Sequence, residues 1–167
     1  MKKLFALVMV FSFITSLLLA NSLELGSPAP QLKVLTDEGI TLDLGEALSA
    51  GTTLVFFYPK AMTPGCVKQA CSLRDGWDEL QARNVSIFGV SSDTAKTQAQ
   101  FRDKYTLPFT LLADTDRKIA DAFSKSRWSR QAYLFRDGIL VWRDLKAATS
   151  KQAAEVLVAL DELAPNT

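Results

Sequence analysis

One stretch constrains this chain more than any other: Leu54 to Cys71, LVFFYPKAMTPGCVKQAC. Leu54-Val55-Phe56-Phe57-Tyr58 is an unbroken apolar run of β-prone residues, the pattern of a strand buried on both faces. Pro59 ends that strand because it has no N–H to give to a ladder. Thr63 is a good N-cap and Pro64 a favoured first helical residue, so the spacing predicts a helix from Pro64 with Cys66 in its first turn. Unpaired N–H groups and the positive end of the helix dipole meet the sulfur there, and both favour thiolate over thiol. A free cysteine is most often a buried structural thiol. The Thr-Pro-Gly lead-in at a helix start turns the reading of Cys66 from structure to chemistry.

Cys71 lies five residues further along the same predicted helix. At 100° and about 1.5 Å per residue, the two Cα atoms stand roughly 8.7 Å apart. A disulfide needs about 4.4–6.8 Å. If the two thiols ever join, the first turns of the helix must unwind, which suits a bond made and broken in a working cycle better than a rigid bridge.

Composition removes the main competing chemistries. The chain has no histidine, which excludes Ser-His and Cys-His catalysis and imidazole-ligated metal. Its two cysteines cannot supply a Cys₄ or Cys₂His₂ zinc site, and no C-x-x-C pair is present. Any activated thiol must therefore rely on a helix N-terminus and on Arg or Lys. The formal net charge is +1 with no clustered basic patch, so nothing points to nucleic acid.

The segment Pro59-x-x-x-Thr63-x-x-Cys66 resembles the peroxidatic signature of the peroxiredoxins. The second cysteine five residues later resembles their PrxQ branch, the bacterioferritin comigratory proteins. The likeness runs from Leu25 to Leu163. It implies a thiol-dependent peroxidase for hydrogen peroxide and organic hydroperoxides, in which Cys66 is peroxidatic and Cys71 resolving. It also implies that Thr63 orients the peroxide through its hydroxyl and that Pro59 shields the sulfur from water. An arginine is needed to hold the thiolate, and the residues alone leave Arg127, Arg130, Arg136 and Arg143 open. The family carries an Arg just before a strand much like Gln131-Ala132-Tyr133-Leu134-Phe135, which selects Arg130; Arg127 is the reserve, read as a solvated loop charge. The resemblance further implies a Cys66–Cys71 disulfide reduced by a thioredoxin-like donor, no metal, haem or flavin, and a monomer. Two positions depart from the PrxQ pattern: Gln69 replaces the usual Glu, and Gln98 stands where many members have His. The first is expected to alter how readily the helix start unwinds.

Met1-Lys2-Lys3 followed by an apolar run to Ala20 reads as a secretory signal, cleaved after Ala20 or Ser22. An uncleaved membrane anchor is the rival reading. Residues 1–22 are thus set apart from a peroxiredoxin-like domain over 23–167, and the domain is expected to be exported, to a bacterial periplasm. Its only expected tie to a membrane is this segment, if uncleaved.

Along the rest of the chain, Gln31–Leu35 and Ile40–Leu44 read as short edge strands around Asp37-Glu38-Gly39, and Leu44–Leu48 as a helical turn. The active helix is expected to run from Pro64 to Arg83. Val85–Ser91 is a second buried strand ending in Ser91-Ser92-Asp93, a turn and cap before a helix over 94–105. Phe109–Leu112 is a strand, and Asp114-Thr115-Asp116 caps a helix over 117–123. Asp137-Gly138 joins two strands as a hairpin, and Ser150–Leu163 closes the chain as a helix. Strands alternating with helices before a closing hairpin fit an α/β sandwich with a central mixed sheet flanked by helices, thioredoxin-like. Two alternatives on the same fold are an exported thiol–disulfide exchange protein, which the missing C-x-x-C opposes, and a non-catalytic module with structural cysteines.

Overall fold

The computed structural model describes residues 23–164. The expected signal segment, 1–22, lies outside the described residues. Seven strands form one mixed sheet in the order β2-β1-β5-β4-β3-β6-β7. The strands are β1 (Lys33–Thr36), β2 (Thr41–Asp43), β3 (Thr52–Phe57), β4 (Val85–Ser91), β5 (Thr110–Ala113), β6 (Gln131–Arg136) and β7 (Ile139–Asp144). The helices are α1 (Leu44–Ser49), α2 (Pro64–Asp75), α3 (Trp77–Ala82), α4 (Ala95–Tyr105), α5 (Lys118–Ala122) and α6 (Gln152–Glu162). β3 runs parallel to β4 and antiparallel to β6, so the strand that leads to Cys66 is central. This is the thioredoxin-like mixed-sheet sandwich that the sequence predicts.

The two-sided burial of β3 divides the core. Leu54, Phe56 and Tyr58 face a cluster with Cys66, Ala70 and Leu73 of α2, Leu80 of α3, Phe101 of α4 and Val156 of α6. Val55 and Phe57 face the other way, against Leu44 and Leu48 of α1, Ile119 of α5, Phe123 and Tyr133. Each large side chain buried in this way contributes about 1.5–3 kcal/mol. The sheet therefore holds the end of β3 firmly in both directions.

The closing hairpin turns at Asp137 and Gly138, both with positive φ (50° and 80°), the two-residue geometry that the Asp-Gly pair favours. The helix expected over 64–83 is divided. α2 ends at Gly76 (ψ 10°), whose N–H bonds to the Ser72 carbonyl, and α3 begins at once. The remaining boundaries all fall within two residues of the sequence reading, the first strand included, where β1 starts at Lys33 rather than Gln31.

Candidate active site

The sulfur of Cys66 sits in the first turn of α2, and the residue is completely buried. Thr63 takes the N-cap position with extended backbone (φ −80°, ψ 148°), and its carbonyl accepts the Val67 N–H at 2.9 Å. Its side chain, however, caps no helical N–H. Thr63 Oγ1 instead lies 2.9 Å from Cys66 Sγ and 2.9 Å from the Lys60 carbonyl oxygen. A hydroxyl has one proton to give and two lone pairs to offer. It can accept from a thiol while donating to Lys60, or donate to a thiolate.

Arg130 supplies the second polar contact. Its Nη1 donates to Cys66 Sγ at 3.2 Å. The residue ends the loop before β6, and its carbonyl accepts the Ala147 N–H at 3.1 Å, which fixes the backbone beneath the guanidinium. Gly65 makes this approach possible. A Cβ at position 65 would stand 2.5 Å from Arg130 Nη2 and 3.3 Å from its Cζ, closer than van der Waals contact allows. The sequence reading used this glycine only as part of the Thr-Pro-Gly lead-in, because only the fold brings Arg130 across it.

Arg127 is elsewhere. Its guanidinium lies over the exposed Trp128 ring, with Cζ 5.8 Å from the centroid, and it lines a recess with Pro59, Arg117 and Lys125. Lys125 is buried there, 5.6 Å over the Phe57 ring, and donates to the carbonyls of Ser126 (2.9 Å) and Arg127 (3.4 Å). Burial pushes its ammonium down to about 8, with help from nearby Arg117 and against Asp114. Lys125 thus ties together the loop that ends in Arg130. Pro59 is half-buried and follows Tyr58, whose N–H bonds to the Val90 carbonyl at 3.1 Å as the last rung of β3 on β4.

The loop from Pro59 to Met62 carries strain. Met62 has φ +64°, a left-handed conformation that costs a non-glycine residue about 1–2 kcal/mol. Asp93, expected to cap the following helix, does not do so. Thr94 caps α4, accepting the Thr97 N–H at 3.3 Å, and Asp93 Oδ2 accepts the Ala61 N–H at 2.7 Å. Beneath this contact Tyr58 donates its hydroxyl to Gln98 Oε1 in the core. Burial above all pushes the Tyr58 phenol well above its ordinary value; hydrogen bonding with Ser91 and Gln98 acts against this, and negative charge on Asp93 and Cys66 adds to it. Tyr58 is therefore a fixed donor, and Gln98 is its acceptor.

Cys71 lies on the same unbroken α2, half-buried, and both cysteines are free thiols. Between them Gln69 is fully buried against Gln152 of α6, donating from Nε2 to Oε1 at 2.9 Å. Gln69 Oε1 and Gln152 Nε2 have no partner among the described residues. Each such orphan costs about 1–3 kcal/mol when buried. Of the sequence-selected residues, the structure brings Cys66, Thr63 and Arg130 into contact, places Pro59 on the loop before them, and leaves Cys71 further along the helix.

The AhpC/TSA family model matches residues 25–143. Peroxiredoxin Bcp of Escherichia coli (strain K12) is 38% identical over 121 residues, 71% of this chain and 76% of that protein. Among solved structures, a mutant of Xanthomonas campestris peroxiredoxin Q matches with a TM-score of 0.77 at 27% identity, over 85% of this chain and 98% of its own. A structure of Xanthomonas campestris bacterioferritin comigratory protein, determined to explain its alkyl peroxide reduction, matches with a TM-score of 0.75 at 25% identity, over 85% of this chain and 98% of its own.

Proposed function

Because this chain belongs to the AhpC/TSA family and is a thiol peroxidase of the Bcp/PrxQ type, we propose that Cys66 is its peroxidatic cysteine and Cys71 its resolving cysteine. The observation that carries this reading is the pair of polar groups on one buried sulfur, the Thr63 hydroxyl oxygen at 2.9 Å and Arg130 Nη1 at 3.2 Å.

The Cys66 thiolate attacks the terminal oxygen of a hydroperoxide. An S–O bond forms as the O–O bond breaks, and the departing oxygen takes up a proton to leave as water or an alcohol. Thr63 turns its hydroxyl to the incoming peroxide and sets it in line with the sulfur. Arg130 holds the thiolate before attack and offsets the charge growing on the departing oxygen, the role of a preorganised donor in a site closed to water. Pro59 closes the approach on the strand side and limits water at the sulfur. The product is a sulfenic acid at Cys66.

Resolution requires movement, since both cysteines sit on one regular helix. The first turns of α2 unwind, the Cys71 thiolate attacks the sulfenic sulfur, and hydroxide leaves as water while the disulfide forms. The Gln69–Gln152 contact favours this opening. Its two orphan atoms gain water when the helices part, which returns about 1–3 kcal/mol each. A dithiol donor of the thioredoxin type then supplies two electrons by exchange and restores both thiols. Hydrogen peroxide and alkyl hydroperoxides are the substrates, the latter supported by the Xanthomonas relative. The protein acts as a monomer, exported by residues 1–22 to a periplasm, either freed by cleavage or anchored there.

Peroxide consumption coupled to a thioredoxin-like donor tests this directly. Wild type should turn over repeatedly, Cys66→Ser should be inert, and Cys71→Ser should consume a single equivalent and stall. Repeated turnover by Cys66→Ser with the same donor would overturn the assignment.

A further inference from the structure

The loop that delivers Thr63 to the sulfur is shaped from outside its own sequence. Residues 59–62 contain no glycine, yet Met62 adopts a left-handed backbone, so other groups must hold it. Two hydrogen bonds brace the loop just before it, and they grip the same peptide. The Ala61 N–H donates to Asp93 Oδ2 at 2.7 Å, and the Lys60 carbonyl accepts the Thr63 hydroxyl at 2.9 Å. N–H of residue 61 and C=O of residue 60 are opposite ends of one rigid planar unit. Any rotation of that unit at the Asp93 end moves the oxygen that Thr63 holds, and Thr63 Oγ1 is the atom 2.9 Å from Cys66 Sγ.

The Asp93 carboxylate is itself held at the end of a chain of donors. Its Oδ2 accepts the Ser91 hydroxyl at 2.7 Å, and Ser91 Oγ accepts from Gln98 Nε2 at 3.1 Å. The second Gln98 amide proton goes to the Leu112 carbonyl at 2.9 Å, and its oxygen takes the Tyr58 hydroxyl. A carboxylate at the end of such a chain only accepts, and its bonds to N–H are shorter and stronger than neutral ones. Gln98, with two protons to give and one oxygen to accept, completes the chain without a histidine.

Resting on the peroxidase reading above, we propose that Asp93 is a positioning residue for the reaction, fixing the Lys60–Ala61 peptide so that the Thr63 hydroxyl stays on the Cys66 sulfur. Two reactions of the same thiol should then come apart. Peroxide needs Thr63 in register, whereas iodoacetamide, a carbon electrophile, needs only the thiolate.

Asp93→Ala and Asp93→Asn would be compared with wild type for their rate constants with hydrogen peroxide and with iodoacetamide. Asp93→Ala should lose about 10- to 100-fold toward peroxide, the effect of a displaced catalytic group, while alkylation stays within about threefold. Asp93→Asn keeps an oxygen for both donors and should recover most of the loss. A wild-type peroxide rate in Asp93→Ala, or an equal fall in both reactions, overturns the proposal. Should Asp93→Ala fail to fold, Ser91→Ala removes the hydroxyl that orients the carboxylate. It should show a smaller loss confined to peroxide, and no loss counts against the proposal. The Ala61 amide proton, followed by NMR, should move upfield in Asp93→Asn; an unmoved resonance overturns the grip itself. That readout stands apart from activity, so an inert wild type would remove the peroxidase reading and still show whether Asp93 holds the loop.

Discussion

The two ends of one short segment are held in opposite ways. Before α2, the loop over 59–63 is anchored by Asp93 on Ala61 and by Thr63 on Lys60, and Arg130 reaches over Gly65 to the sulfur. Three residues beyond Cys66, the helix body meets α6 through Gln69 and Gln152, which share a single hydrogen bond and leave two buried polar atoms without partners among the described residues. The first region keeps Thr63 and Arg130 in register with a sulfur that, in the proposed cycle, must react quickly. In the proposed cycle, the second makes the same helix easier to open. A peroxidase that resolves itself needs both, because attack requires a fixed geometry and disulfide formation requires that geometry to be lost. The difference lies in hydrogen-bond satisfaction rather than in apolar burial, since Cys66, Gln69 and Ala70 are equally buried.

The largest effect should come from breaking the firm end. Arg130→Ala removes a charged donor from the sulfur and should lower the peroxide rate constant by about 10²–10³, as loss of one preorganised donor does elsewhere. Arg127→Ala should stay within about twofold, because Arg127 faces Trp128 and a different recess. Stopped-flow fluorescence would read both, and equal losses would erase the distinction between the two arginines. Next comes Gly65→Ala, whose Cβ displaces the guanidinium without removing it. About a tenfold loss is expected, smaller than for Arg130→Ala because a displaced flexible side chain can still reach part of the way.

The loose end can be tightened. Gln69→Leu combined with Gln152→Leu replaces the half-satisfied pair with apolar contact, and should raise stability by about 1–3 kcal/mol in urea melts. The attack on peroxide should keep its rate while the later sulfenic-to-disulfide step slows. Gln69→Glu probes the same contact more gently, and a disulfide-forming rate equal to wild type would sink the idea that this position sets the opening. The smallest effect concerns Lys125, which ties the Arg130 loop. Its folded value is about 8 against an ordinary 10.5, so the unfolded chain holds more protons between those limits and stability rises with pH across them. Urea midpoints of wild type and Lys125→Met at about pH 7 and about pH 10 should therefore diverge in favour of wild type at the higher pH. A gap that does not change with pH would mean that Lys125 is more hydrated than its position implies.

Local order was legible in the sequence wherever one short stretch carried the signal. Leu54–Tyr58 announced a strand buried on both faces, Pro64 a helix start, and Asp137-Gly138 a hairpin, and all three stand. The misreadings share one cause. Thr63 does hold the N-cap place of α2 and only its capping side-chain bond is absent, whereas Asp93 caps nothing; each spends its side chain elsewhere, Thr63 on Cys66 and Lys60, Asp93 on Ala61, 32 residues away. The Gln69–Gln152 contact spans 83 residues, and no local pattern reports it. The break at Gly76 was hidden because an apolar periodicity continues across it through Trp77 and Leu80. Choosing Arg130 over Arg127 needed the resemblance, since both precede β6 and only the fold decides which one crosses Gly65.

The most direct test of a firmly held attacking sulfur and a resolver on a yielding helix is intact mass. Reduced protein lacking residues 1–22 would be measured seconds after one equivalent of hydrogen peroxide, beside Cys71→Ser. The account predicts a loss of about two hydrogens in wild type and a gain of about one oxygen in the variant. A gain of oxygen in both would remove Cys71 as the resolver, and no change in either would contradict Cys66 as the peroxidatic thiol.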